Sequence, residues 1–249
     1  MSKISGIIIA KNEAKMIGDA LDSLSFCDEI IVIDNDSVDK TREVAESHGA
    51  KVYELNSRDF SELREFGLRH AQGDWVLYLD ADERVDEILK ESIQKAISEN
   101  LEYSAYFLKR KNYYFGKHEW PKIEKMERLF KKESLKGWKG KLHESPIFEG
   151  GAGQLDGFIL HFTHRDLESM LNKTIDWSSA EALLRYNAGH PKMTWWRFPR
   201  VMTTAFLNSY IKQKGYKAGV VGVVESMYQA FSAFIAYAKL WELQNSIEK

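Results

Sequence analysis

The sequence predicts an α/β fold, a mostly parallel central sheet flanked by helices, with a helical extension at its C-terminal end. Three observations carry that expectation. Short unbroken apolar runs at Ile4 to Ala10, Glu29 to Ile33 and Trp75 to Leu79 suit strands buried on both faces. The segments between them place apolar residues at helical spacing. From Asp166 onward the strand-like runs stop and helical periodicity continues to Trp241.

In chain order, Ile4 to Ala10 is a strand ending at Lys11-Asn12-Glu13. Ala14 to Leu24 is a helix, with Ile17, Leu21 and Leu24 on one face. Glu29 to Ile33 is a second strand, ending at Asp34-Asn35-Asp36. Thr41 to His48 is a helix stopped by Gly49. Lys51 to Leu55 is a third strand, Phe60 to Ala71 a third helix, and Trp75 to Leu79 the fourth strand, running into Asp80-Ala81-Asp82-Glu83. This β-α-β-α-β-α-β order calls for right-handed crossovers. Strands are also expected within Glu102 to Phe115, at Glu127 to Lys131 and at Phe158 to Phe162, with a turn at Gly150 to Gly153.

Composition narrows the classes. A net charge of −2 gives no general attraction to nucleic acid, and no zinc-finger or RNA-binding signature occurs. The single cysteine, Cys27, excludes an internal disulfide and fits a reducing compartment. The apolar run Gly6 to Ala10 is too short for a signal peptide's core, so cytoplasmic localisation is expected.

In an open α/β sheet ligands bind beyond the carboxyl ends of the strands. Here those ends carry Asn12 and Glu13, Asp34 and Asp36, and Asp80 and Asp82. A single polar end is ordinarily a helix cap, and Asp36, Ser37 and Asp39 fit that reading. Three on one edge suggest a lined crevice. Asp80 and Asp82, two apart around the small Ala81, point the same way on an extended backbone. Such a pair suits a magnesium or manganese ion that also needs phosphate oxygens. No G-x-G-x-x-G and no G-x-x-x-x-G-K-[ST] is present, which weakens nicotinamide-dehydrogenase and P-loop readings.

The blocks I-I-I-A-K-N-E, I-V-I-D-N-D-S-V-D-K-T and E-L-R-E-F-G-L-R-H-A-Q-G-D-W-V-L-Y-L-D-A-D-E resemble family 2 of the inverting glycosyltransferases, which have the GT-A fold. The resemblance implies that Ala10, Asn12 and Glu13 lie along a nucleotide, that Asp34 meets the base and Arg64 lies on the nucleotide side. It implies further that Asp80 and Asp82 meet the ribose and a metal-bound pyrophosphate, with Ala81 between them. Asn35-Asp36 stands where the family often has Asp-Gly, which leaves open whether Asp34 or Asp36 faces the base. Trp120-Pro121, Arg128-Leu129-Phe130 and His143-Glu144 are similar, in order, to the lipopolysaccharide core β-glucosyltransferase branch. That likeness implies a UDP-sugar donor, a lipid-linked saccharide or other cell-envelope glycan acceptor, and Arg128 on the nucleotide-sugar side.

Glycosyl transfer with inversion needs a base at the acceptor hydroxyl, worth about 10²–10⁴-fold in rate. Glu144 is the expected base, with His143 orienting it or touching the acceptor; alternatively Glu144 pairs with Lys139, Lys141 or Arg128. His161 or His164 would complete metal coordination or touch the diphosphate, or else be a hydrogen-bonded structural residue. The expected organisation is a glycosyltransferase domain over 1–165 (nucleotide-sugar half 1–100, acceptor half 101–165) and a helical extension over 166–249.

In that extension Trp195-Trp196-Arg197-Phe198-Pro199-Arg200 and the cluster Lys212, Lys214 and Lys217 place aromatics beside cations. Glu225, Gln229 and Lys239 interrupt the last helix, which argues against a spanning segment. Such helices fit the surface of a membrane, here the inner face of the cytoplasmic membrane, or pack on protein, including a second subunit. Three rivals remain at this level. Glycoside hydrolysis leaves the acids at several strand ends unexplained. Nucleotidyl transfer lacks a glycine-rich phosphate loop. A non-catalytic nucleotide-sugar-binding protein has no need of Asp80, Asp82 and Glu144 together.

Overall fold

A computed structural model describes residues 2–99, 102–140 and 144–246. They form two compact units, one of residues 1–111 with 123–161, the other of 112–122 with 162–249.

In the first unit the chain runs β1 (Ile4–Ala10), α1 (Ile17–Ser23), β2 (Glu29–Asp34), α2 (Thr41–Ser47), β3 (Lys51–Glu54), α3 (Phe60–His70) and β4 (Trp75–Asp80). β1 pairs in parallel with both β2 and β4, and β2 pairs in parallel with β3. Pleating alternates the side chains between two cores. Ile8, Val32, Leu77 and Leu79 face one core with α1 residues Ala20 and Leu21, while Ile7, Ile31, Ile33, Val76 and Tyr78 face the other with Leu63 of α3. Burial on both faces is why these strands lack polar alternation.

Gly67 lets α3 lie directly on the sheet. A Cβ there would stand 2.6 Å from Ile7 Cγ2 and 3.3 Å from Ile33 Cγ1.

Beyond β4 the unit continues as β5 (Glu83–Val85), α4 (Glu87–Ser98) and β6 (Ala105–Tyr114), which runs past Lys111 into the second unit. Next come β7 (His118–Glu119), β8 (Glu124–Lys131), β9 (Leu135–Lys139), β10 (Ser145–Phe148), β11 (Ala152–Gln154) and β12 (Ile159–Phe162). The sheet order is β3-β2-β1-β4-β8-β6-β12-β5. β8 is antiparallel to β4 and to β6, and β12 is antiparallel to β5. The fold class is therefore the expected α/β one, a mixed sheet whose parallel pairs are those among β1 to β4 and the short β11–β6 pair. Gly150 to Gly153, expected as a turn, gives way at Ala152 to β11, which pairs in parallel with β6.

β9 and β10 form a separate antiparallel ribbon. Its Trp138 and Leu135 join the core beneath α3. The Trp138 N–H donates to Glu65 Oε1 at 3.2 Å, and the Ser61 hydroxyl donates to the Gly140 carbonyl. The ribbon is thereby held against α3.

In the second unit β7 pairs with the end of β6, and Trp120 N–H donates to Asn112 O at 2.7 Å. Three helices follow: α5 (Leu167–Asn187), α6 (Arg197–Leu207, continued by a π turn at Asn208–Lys212) and α7 (Gly219–Asn245). Asp166 caps α5, its Oδ1 accepting the Ser169 N–H at 2.7 Å. Polar ties bind α7 to α5: the Thr174 and Tyr228 hydroxyls lie 2.7 Å apart, and Lys239 Nζ donates to Ile175 O at 2.6 Å. Residues Gly215–Asn245 are long and apolar enough to cross a bilayer by length and composition, with a mean hydropathy of 1.3. The same stretch contains Glu225, which is only 1% exposed.

Candidate active site

The strand register aligns the polar ends. Ile9 lies opposite Asp80 and Ala10 opposite Asp34, so Ala10, Asp34 and Asp80 finish along one edge of the parallel sheet. The sequence had placed Asn12, Glu13, Asp34, Asp36, Asp80 and Asp82 on such an edge, and the pairing puts their strands side by side.

At the β1–β2 end the two loops are stitched together. Asn12 N–H donates to Ser37 Oγ at 2.9 Å, Val38 N–H to Asn12 Oδ1 at 2.8 Å, and Glu13 N–H to Thr41 Oγ1 at 2.8 Å. Asn12 and Asp36 both take left-handed backbone, with φ of 55° and 60°. Asn and Asp tolerate that region better than other side-chain-bearing residues. The position where the resembling family often has Gly is therefore the left-handed one, and Asp36 fills it. Asp36 is exposed and accepts from Asn56 Nδ2 at 3.2 Å, whereas Asp34 is fully buried. Asp34 Oδ2 accepts the Ser37 N–H at 3.1 Å and lies 3.5 Å from Arg42 Nε. Asp34 Oδ1 is buried with no hydrogen-bond donor among the described residues.

At the β4 end three arginines and four carboxylates interlock. Arg64, from α3, donates through Nε to Glu144 Oε1 at 2.7 Å, and its Nη2 lies 3.4 Å from Asp80 Oδ1. Arg128, from β8, donates through Nη2 to Asp80 Oδ2 at 2.8 Å and lies 3.6 Å from Glu83 Oε1. Arg110, from β6, donates to Glu83 at 2.8 Å and to Glu124 at 2.6 Å. Glu83 is fully buried, and its Oε2 also accepts the Asp80 N–H at 3.0 Å. The Arg64 guanidinium sits over the rings of Trp138, at 4.8 Å, and Tyr78, at 5.4 Å. The Tyr78 hydroxyl donates to the Arg64 carbonyl at 3.1 Å.

These charges set one another's protonation. Burial alone would raise the Asp80 carboxyl, but Arg128 and Arg64 beside it hold it well below the usual carboxylate range. Burial likewise opposes the Arg128 charge, and Asp80 and Glu83 overcome it, raising Arg128 above the usual arginine range.

Ala81 is buried, and its carbonyl accepts from Arg84 Nη1 at 3.1 Å. Asp82 lies beyond it, with His161 Nε2 3.4 Å from Asp82 Oδ2. The other candidate histidine, His164, belongs to the second unit, where its Nδ1 bonds Glu225 Oε2 at 2.8 Å and its ring stacks on Tyr114. His143 lies outside the described residues. Glu144 pairs with Arg64, a partner not among the lysines and arginine that its sequence neighbourhood suggested.

Among the described residues no three His, Cys, Asp or Glu side chains converge as a complete protein-only metal site. Asp82 and His161 nevertheless fit an ion that takes most of its ligands elsewhere. Adjacent ligands on an octahedral ion with bonds of about 2.0–2.1 Å lie about 3 Å apart, close to the observed 3.4 Å.

Glu83 and Arg110 were missed as site residues. In the sequence Glu83 only closes the Asp80-Ala81-Asp82-Glu83 run, and Arg110 sits in a generic basic-aromatic stretch. The signal for Glu83 is the Asp-x-x-Glu spacing, which lets a short return strand aim it back at the Asp80 backbone; Arg110 carries none.

The strand-end edge thus carries a buried Arg–carboxylate cluster, and comparison with known proteins gives the class. Residues 5–155 match the model for glycosyl transferase family 2. A glycosyltransferase of Rickettsia prowazekii (strain Madrid E) is 30% identical over 258 residues, covering 98% of this chain and 88% of that one. The lipopolysaccharide core biosynthesis glycosyltransferase LpsC of Rhizobium meliloti (strain 1021) is 26% identical over 254 residues, 96% of this chain and 92% of the relative. The crystal structure of S. aureus TarS 1–349 in complex with UDP superposes with a TM-score of 0.49 at 16% identity, covering 99% and 93% of the two chains. The protein is a glycosyltransferase. The chain belongs to glycosyl transferase family 2, as its strand-end motifs implied.

Proposed function

We propose that the protein moves a sugar from a UDP-sugar to a lipopolysaccharide core or related cell-envelope glycan, by one displacement that inverts the sugar carbon. The observation that carries this reading is the Arg128–Asp80–Arg64–Glu144 chain of contacts, which gathers two carboxylates and two guanidinium groups at one point on the strand-end edge. The acceptor class is supported by the similarity to LpsC along nearly the whole chain.

Each residue has a role. Asp34 Oδ1, a buried acceptor with no donor among the described residues, suits the N–H of a pyrimidine dione such as uracil. Asn12 and Glu13 line the nucleotide. Arg64 and Arg128, held by Asp80, supply positive charge toward the leaving diphosphate. Glu144 takes the proton from the acceptor hydroxyl as its oxygen bonds the anomeric carbon and the bond to the diphosphate breaks. Oε1 of Glu144 is fixed by Arg64, and Oε2 carries no hydrogen bond among the described residues. Asp82 and His161 would hold a magnesium or manganese ion, which supplies charge neutralisation to the diphosphate.

The test is release of UDP from a panel of UDP-sugars, with core oligosaccharide as acceptor and product anomers assigned by NMR. One donor giving acceptor-dependent UDP release and an inverted linkage is expected. Retention of anomeric configuration, or hydrolysis of a glycoside without nucleotide, would overturn the reading.

A further inference from the structure

Two features of the second unit stand outside the chemistry above. The first is the inverted polarity of α7. Its protein-facing side is built from Gly222, Glu225, Ser226 and Ala230, together with Ala236 and Leu240. Its outer side carries Val220, Val224, Met227, Phe231, Phe234 and Trp241, all exposed and spaced four, three, four, three and seven residues apart. A water-facing helix shows the opposite arrangement. Only 22% of the most apolar window of this helix is buried. An exposed apolar face of this length marks an interaction surface.

The second feature is charge. Between Glu181 and Glu225 the chain contains no Asp or Glu and seven Lys or Arg, in a protein whose net charge is −2. Within that stretch Trp195 is 82% exposed, and Arg197 and Arg200 lie 5.2 and 5.9 Å from the Trp196 ring centroid. α6 contributes no buried residue. Trp196, Arg200, Thr203, Leu207 and Ile211 follow one another at helical spacing along its exposed side, and Lys212, Lys214 and Lys217 are exposed just beyond.

We infer that α6, the basic turns after it and the outer face of α7 dock on an anionic lipid surface. Aromatic and aliphatic side chains beside lysine and arginine are the composition of helices that lie in the headgroup region. A second copy of the chain is the weaker occupant, because a two-fold contact would set two acid-free basic stretches against each other. A spanning α7 conflicts with the polar ties on its inner face. Glu225 is held there by His164 at 2.8 Å and by Gln229 Nε2 at 2.7 Å.

The test is co-sedimentation of the full chain with vesicles of phosphatidylcholine alone and with equal parts phosphatidylglycerol. The chain is expected to pellet with the anionic vesicles, to be released by alkaline carbonate, and to bind less as salt rises from about 0.1 M to about 1 M, where screening shortens from about 10 to 3 Å. Replacing Lys212, Lys214 and Lys217 by Gln is expected to weaken binding roughly 100-fold, at about fivefold per charge. Trp195→Glu, at an exposed position, is expected to abolish binding while leaving the circular dichroism spectrum unchanged. A chain that stays in the supernatant with anionic vesicles overturns the inference. Resistance to carbonate overturns it in favour of a spanning helix. Dissociation of a dimer by Trp195→Glu with vesicle binding intact overturns it in favour of a second copy.

Discussion

Arg64 joins Glu144 through Nε at 2.7 Å, although 80 positions separate them in the chain. The same guanidinium reaches Asp80, so the proposed base and the acid at the end of β4 share one cation. This pairing gives Glu144 a fixed direction. Glu144→Gln keeps the shape and removes the proton acceptor. Turnover is expected to fall about 10²–10⁴-fold, while the affinity for UDP stays within a factor of a few. Steady-state kinetics with UDP titration checks both.

Asp80 yields a pH prediction of definite sign. Its folded carboxyl lies below the unfolded value of about 3.9, because Arg128 and Arg64 outweigh burial. Its contribution is therefore present at neutral pH and is lost as pH falls below about 4. The wild-type protein is expected to exceed Asp80→Asn in urea midpoint at pH 7, with the gap closing below pH 4.

Glu83 holds the arginine cluster from beneath, bonding Arg110, approaching Arg128 and accepting the Asp80 N–H. Glu83→Gln leaves buried guanidinium charge under-compensated. A loss of about 3–5 kcal/mol is expected, as for breaking a buried ion pair by removing one partner. The double variant Arg110→Met with Glu83→Gln should lose less than the sum of the two single losses, because the two residues share one interaction. Chemical denaturation of the two single variants and the double variant gives the coupling.

Gly67→Ala tests the seat of α3. Alanine favours a helix by about 1 kcal/mol, but its Cβ would meet Ile7 Cγ2 at 2.6 Å. Overpacking of this kind costs about 1–3 kcal/mol, so a net loss of stability is expected. Because α3 carries Arg64, turnover should fall with it. A variant more stable than the parent would show that the helix can lift without penalty.

How far the chain could be read without coordinates follows from where its information is local. β1, β2 and β4 were legible because burial on both faces leaves an uninterrupted apolar run, and α3 because its apolar spacing ends cleanly before Gly73. β5, α4 and the β9–β10 ribbon were not singled out. Glu83–Val85 is three residues long, and β9 carries Gly137 at its centre and is followed by Gly140, both at positive φ. The antiparallel half of the sheet depends on pairings such as Leu77 with Leu129, which no periodicity announces. At the site, the acids could be read because each ends a strand. Their partners could not: Arg64 meets Glu144 only because the ribbon folds back over α3 through Trp138.

The most direct test of the central claim is calorimetric titration of UDP into the wild-type chain and into Asp82→Asn, each with and without manganese. The account expects UDP binding that strengthens at least tenfold with manganese in the wild type and loses that gain in Asp82→Asn. Equal binding by both proteins with and without the ion would contradict it.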